Sequence, residues 1–264
     1  MLKISNVKVY GLEESIVASG YPMLSKPYTD EEFEKHVDDV SAGFVGDSHL
    51  VDLEWGEKRI KTAKHLGNVP SGTGHDNFLR GIIVQYDVRY PVYWTPQFQR
   101  YTGYNNIVSS QSAMHRLTKM NLDESFNEYV LPQVRDHVAE LIEVYNEALS
   151  KGIKTVWKES VRNIEDNYLL REYISIKKNE HLSSNIFSEF YTTKHEEISI
   201  EDLYMYIISS CPQGLEKTMR VSTNYLQLKT MWHQRRNHKL KDWQVFCDEI
   251  EKLPFFKELT GCGL

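Results

Sequence analysis

The sequence holds 264 residues, 41% of them hydrophobic and 12% aromatic, with a formal net charge of −6. Aromatic residues recur along the whole chain, which supplies a core and excludes a disordered protein. The acidic balance argues against holding nucleic acid through a broad basic face, because such binding rests on phosphate neutralisation.

Cys211, Cys247 and Cys262 are too few and too scattered for a disulfide framework or a zinc site. The opening Met1-Leu2-Lys3-Ile4 runs into a polar segment, and no stretch approaches the ~20 apolar residues of a membrane span. A cytoplasmic protein with reduced thiols is expected.

Val7 to Tyr10 alternates and predicts a short strand, ended by Gly11, with a helix opening over Glu13 to Ser19. Tyr28-Thr29-Asp30-Glu31-Glu32 combines a capping residue with first-turn acids, so a helix is expected over 30–42. A second runs from about Glu54 to Leu66 and stops at Gly67. The glycine-rich segment Pro70-Ser71-Gly72-Thr73-Gly74-His75 follows. Residues 82–90 then alternate strictly, with Ile82, Val84, Tyr86, Val88 and Tyr90 on one side; a half-buried strand ending at Pro91 is expected.

A helix beginning near Thr95-Pro96 suits proline in a first turn, and Gly103 to Ser112 reads as a loop. Val134, Val138, Leu141, Ile142, Tyr145 and Leu149 mark an amphipathic helix over 131–151. Residues 153–200 are charged and read as helical pieces inserted between better-defined elements. Further helices are expected over 201–209, 220–236 and 240–252.

Three groups of residues carry candidate chemistry. Gly74-His75-Asp76-Asn77 follows a glycine-rich loop whose amides can cradle an anion, although the same residues suit a tight turn with a structural histidine. Gln97-Phe98-Gln99-Arg100-Tyr101, then Ser109 to Ser112 and His115-Arg116, offers basic and hydroxyl groups for a phosphate or carboxylate; a solvated helix end and polar loop fit equally. Asn224 and Arg235 lie eleven residues apart, about three turns at ~3.6 residues each, which places both on one helix face beside Leu228 and Met231. That stripe also reads as an ordinary core face with an arginine at its exposed end. No HExxH, CxxC or GxSxG motif occurs.

The order and spacing of these pieces resemble the flavin-dependent thymidylate synthases. The resemblance rests on Gly74-His75, the alternating strand to Pro91, Gln97-Phe98-Gln99-Arg100, the helix end Tyr145 to Gly152, Pro212, and Asn224 followed by Arg235. It covers most of the chain apart from 153–200. It implies one mixed α/β (α+β) domain over 1–264, with a central antiparallel or mixed sheet, long helices and a helical insertion at about 153–200.

It further implies a homotetramer with shared active sites, binding FAD, NADPH, methylenetetrahydrofolate and dUMP, with no metal. The implied reaction transfers a one-carbon unit to C5 of a pyrimidine deoxynucleotide, with hydride from reduced FAD. By position, His75, Asn77, Arg100 and Asn224 would contact flavin. Gln97, Ser110, Ser112 and Arg235 would contact the nucleotide, and Arg235 would polarise the pyrimidine.

The chain departs from the family pattern at its RHRxxS signature, where it reads Arg100-Tyr101-Thr102. Leu226 and Ile208 also stand where the family has arginines. A nucleotide-binding protein of the same fold without synthase activity is the alternative.

Overall fold

A computed structural model of the chain describes residues 2–46, 52–178 and 190–264. In chain order the strands and helices are β1 (Lys3–Tyr10), α1 (Leu12–Ala18), α2 (Asp30–Val45), α3 (Leu53–Gly67), β2 (Ile83–Pro91), α4 (Thr95–Phe98) and β3 (Asn106–Ser110). There follow α5 (Ala113–Arg116), α6 (Leu122–Ser125), α7 (Pro132–Ser150), β4 (Thr155–Asn163), β5 (Leu169–Ser175) and β6 (Tyr191–Ser199). The chain ends with α8 (Ile200–Ser210), β7 (Glu216–Asn224), α9 (Tyr225–Arg235), α10 (Lys241–Ile250) and α11 (Phe256–Thr260). Helices and antiparallel strands are mixed, as the α+β expectation requires.

The chain divides into two compact units, 1–110 with 217–264, and 111–216. In the first, four strands form a sheet in the order β1-β2-β7-β3. Val84, Tyr86 and Val88 alternate inward from β2 and are buried. Each such side chain contributes about 1.5–3 kcal/mol by leaving water. Trp94, Trp243 and Phe246 pack into the same core, with Trp94 and Trp243 centroids 4.6 Å apart.

Helix α2 opens with the expected cap, here a reciprocal capping box between Thr29 and Glu32. Helix α3 ends against α11 so closely that a Cβ on Gly67 would stand 1.9 Å from the Leu259 carbonyl oxygen. Gly67→Ala is therefore expected to force the two backbones apart and to destabilise the protein by about 1–3 kcal/mol, read from the shift in a chemical melt.

The second unit holds a three-stranded antiparallel sheet, β5-β4-β6, with Trp157 paired to Ser175 on one side and Glu197 on the other. Helices α7 and α8 belong to the same unit, α8 capped by Ser199, whose hydroxyl accepts from the Asp202 amide.

Three expectations are corrected. The expected helical insertion at 153–200 consists of β4, β5 and β6 where it is described, and residues 179–189 lie outside the described set. Its strands carry charges on both faces, which erased the alternation that marks a half-buried strand. The expected helix over 220–236 is strand β7 to Asn224 and helix α9 thereafter. The expected loop 103–112 contains strand β3. The helix expected to begin near Thr95-Pro96 is present as the single turn Thr95–Phe98.

Candidate functional site

The first unit brings the α4 turn and helices α9 and α10 together at one place. Strand β2 ends at Pro91, buried Trp94 anchors the chain, and Phe98 stacks on Trp94 with centroids 4.6 Å apart. That packing fixes the short helix α4 and projects Gln97 from it. Helix α9 starts when Asn224 caps it, accepting the Gln227 amide at 2.9 Å, and three turns later delivers Arg235. Helix α10 adds Trp243, fully buried.

Here the polar atoms form a connected set. The Trp243 indole donates to Gln97 Oε1 at 2.8 Å, and Arg235 Nη1 lies 3.4 Å from the same oxygen. Arg235 Nε donates to the Tyr101 hydroxyl at 2.6 Å, and that hydroxyl donates to Gln234 Oε1 at 3.0 Å. The Arg235 guanidinium also sits 4.8 Å from the Trp243 ring centre and 5.4 Å from that of Tyr101. Cation–π attraction of about 0.5–2 kcal/mol adds to its fixation. Arg235 is half-buried, so its guanidinium is held rigidly yet reachable.

A second polar junction ties the glycine-rich segment to the same helix. The Lys229 ammonium donates to the carbonyl oxygens of Gly67 at 2.8 Å and Val69 at 2.6 Å, and to Asp76 Oδ2 at 2.8 Å. Its three hydrogens thus meet three acceptors, and both charged side chains are at most 2% exposed. The loop closes through Gly72 and Gly74, both at positive φ of 95° and 84°, a conformation that glycine adopts without steric cost.

Two cavities flank the Tyr101–Gln234 hydrogen bond. One of about 480 Å³ lies among Asn68 to Ser71, Thr230, His233, Gln234, Thr260 and Gly261. The other, about 270 Å³, is lined by Phe98, Gln99, Tyr101, Thr102 and Asn105 to Ile107. The larger falls in the range of small-molecule sites. Burial, then the Lys229 ammonium, holds the His233 imidazole below its ordinary value, so it lines this cavity as a neutral group at pH 7.

Of the residues expected from sequence, Gln97 and Arg235 meet directly. His75, Asn77 and Arg100 are exposed, the first two on the loop that Lys229 anchors. Asn224 is 3% exposed and spends its side-chain oxygen on the helix cap. It is the cap of α9 rather than a residue within the helix, so the expected helix position of Asn224 is corrected by one residue. Ser110 is exposed at the end of β3, while Ser112 precedes α5 in the second unit without a side-chain cap bond.

The sequence singled out Asp76 only as part of the glycine-rich segment, and did not mark Lys229, Gln234 or Trp243. A lysine between Leu228 and Met231 on a buried stripe was the one local signal.

No family model matches the chain, and no curated protein matches it. Solved structures do. A thymidylate synthase X from Helicobacter pylori, solved with FAD and dUMP, superposes with a TM-score of 0.54 at 14% identity, covering 98% of this chain and 97% of the other. A second structure of the Helicobacter pylori flavin-dependent enzyme, also with FAD and dUMP, gives 0.51 at 14% identity over 98% and 99% of the two chains. A UMP/dUMP methylase, PolB from Streptomyces cacaoi, bound with 5-Br dUMP, gives 0.48 at 11% identity over 100% and 96% of the chains. The chain has the fold of the flavin-dependent thymidylate synthases.

Proposed function

We propose that this chain is a flavin-dependent enzyme that transfers a one-carbon unit to C5 of a pyrimidine deoxynucleotide, dUMP to dTMP or a related modification. The observation that carries the reading is the joining of Gln97 and Arg235, 138 residues apart in sequence, into one hydrogen-bonded cluster.

His75, Asn77 and Arg100 are exposed, and the 480 Å³ cavity beside the glycine-rich segment has a mainly apolar wall that includes Val69 and Pro70, with Asn68, Ser71, Thr230 and His233 as neutral polar groups. These groups suit a flavin nucleotide, so His75, Asn77 and Arg100 would hold it. The Asn224 side-chain oxygen accepts the capping hydrogen bond, and its amide nitrogen is the donor that such a contact would use. Bound reduced flavin supplies the hydride, with NADPH as reductant and methylenetetrahydrofolate as one-carbon donor.

The chain's own residues then bind and polarise. Arg235 would hold the pyrimidine nucleotide and offset negative charge developing on a ring carbonyl, a role that rigid, partly desolvated donors fill well. Gln97, with its oxygen engaged by Trp243, turns its amide nitrogen toward the ligand. Ser110 and Ser112 would contact the nucleotide, in this reading within a homotetramer that shares its active sites. Among the described residues no helix is long and apolar enough to cross a membrane, and no three His, Cys, Asp or Glu residues gather as a metal site.

The test is direct. Purified protein is expected to bind FAD and dUMP with dissociation constants below about 100 µM, inside the usual range for enzyme substrates. With NADPH and methylenetetrahydrofolate it should release the C5 hydrogen of dUMP. Absence of binding to both ligands would sink the reading. Binding without turnover would select the non-catalytic alternative, which the replacement of the second and third signature positions by Tyr101 and Thr102 favours.

A further inference from the structure

We propose that Tyr101 is a positioning residue that makes the Arg235 cluster a donor-only cradle, selective for a ligand group with adjacent hydrogen-bond acceptors. The proposal rests on the pyrimidine nucleotide reading above and assigns the residue that shapes that site.

The hydrogen bonds leave one self-consistent arrangement. An indole N–H can only donate, so the 2.8 Å contact from Trp243 fixes the Gln97 oxygen, not its nitrogen, toward Trp243. Guanidinium also only donates, so the Tyr101 oxygen accepts from Arg235 Nε at 2.6 Å. The tyrosine hydrogen must then find an acceptor, and Gln234 Oε1 stands 3.0 Å away. Turning the Gln234 amide over would place two donors on the phenol oxygen and strand its hydrogen.

Each side-chain oxygen of Gln97, Tyr101 and Gln234 is therefore engaged within the cluster. Gln97 Oε1 accepts from both Trp243 and Arg235, so what remains for a ligand beside Arg235 is the guanidinium fork and the Gln97 amide nitrogen. Both of these donate. The cradle matches two acceptor lone pairs side by side, as on one pyrimidine carbonyl oxygen or on two phosphate oxygens, because paired N–H groups meet paired lone pairs. A group offering a donor at that place would face N–H against N–H.

Tyr101 is what makes this possible, because one oxygen both accepts from Arg235 and donates to Gln234. An imidazole at this position carries its donor and acceptor on separate ring atoms and cannot serve both neighbours from one point. Without the hydroxyl, Arg235 Nε is released, the fork is free to rotate, and Gln234 Oε1 turns into a free acceptor beside the ligand.

The experiment titrates wild type, Tyr101→Phe and Gln234→Leu with dUMP, deoxyuridine and FAD, with a thermal melt of each protein. Tyr101→Phe keeps the ring on Trp243, and Gln234 is exposed, so at least one variant remains folded. Expected for Tyr101→Phe is about tenfold weaker dUMP binding, equal to about 1.4 kcal/mol, with FAD affinity unchanged. Gln234→Leu should move dUMP binding in the same direction by less.

A loss shared by dUMP and deoxyuridine places a base carbonyl in the cradle, and a loss for dUMP alone places the phosphate there; both support the assignment. A structural role would weaken FAD and dUMP alike, and that result overturns it. So does wild-type affinity for dUMP in both variants. Failure of the wild type itself to bind dUMP overturns the functional reading instead, and this assignment with it.

Discussion

Lys229→Met is expected to remove about 3–5 kcal/mol from the stability of the fold, the range seen when one partner of a buried ion pair is deleted. The size follows from what the substitution leaves behind. Asp76 stays in a site where it is 2% exposed, now without its cation. The carbonyls of Gly67 and Val69 lose their shared donor as well. Methionine nearly fills the lysine's volume, so the loss is electrostatic rather than a cavity. Lys229→Met/Asp76→Leu should recover part of the loss, since removing both charges spares the penalty of an unpaired one. Urea melts of the two variants and the wild type decide it. A single variant within about 1 kcal/mol of wild type, the size of an ordinary surface pair, would refute the account.

The same pair carries a functional corollary. The three acceptors of Lys229 lie at Gly67, Val69 and Asp76, so the ammonium holds both ends of the glycine-rich segment against α9. His75 and Asn77, the expected flavin contacts, flank Asp76 on either side. Loosening the pair is expected to weaken FAD binding in any variant that still folds, measured by flavin retention on gel filtration.

Local patterns in the sequence carried far. The alternation ending at Pro91 became β2 with its Val84, Tyr86 and Val88 face buried, and Thr29 with Glu32 became a complete capping box. Those features are written within a few residues of each other, where period and propensity act directly. The boundary of α9 was misplaced because Asn224 suits both a helix face and a cap, and only tertiary pairing of β7 with β3 decides between them.

The strands of the second unit were illegible for a different reason. Glu159 is buried while Lys158, Ser160 and Arg162 beside it are half-buried, so polar residues occupy both faces and hydrophobic alternation fails. The Lys229–Asp76 pair spans 153 residues, and nothing local in the sequence marks either partner as the other's counter-ion. Fold class was readable from order and spacing; the network around Arg235 needed coordinates.

Arg235→Ala is expected to weaken dUMP binding by about 100-fold or more, the effect of losing two charge-assisted hydrogen bonds at about 1.5–3 kcal/mol each. The thermal midpoint should also fall by a few degrees, because the hydrogen bonds to Tyr101 and Gln97 and the cation–π contacts with Trp243 and Tyr101 are lost. Arg235→Lys sharpens the test. Lysine keeps the charge but has no Nε–H for the Tyr101 hydroxyl and no planar fork for paired acceptors. If charge alone held the nucleotide, lysine would restore most of the affinity. If the fork orientation set by Tyr101 and Gln97 matters, lysine should recover less than a tenth of it, equal to a residual deficit above about 1.4 kcal/mol. Titrations at low and high salt separate the two causes, since a simple charge contact fades with ionic strength while a directional pair of hydrogen bonds in a half-buried cluster persists.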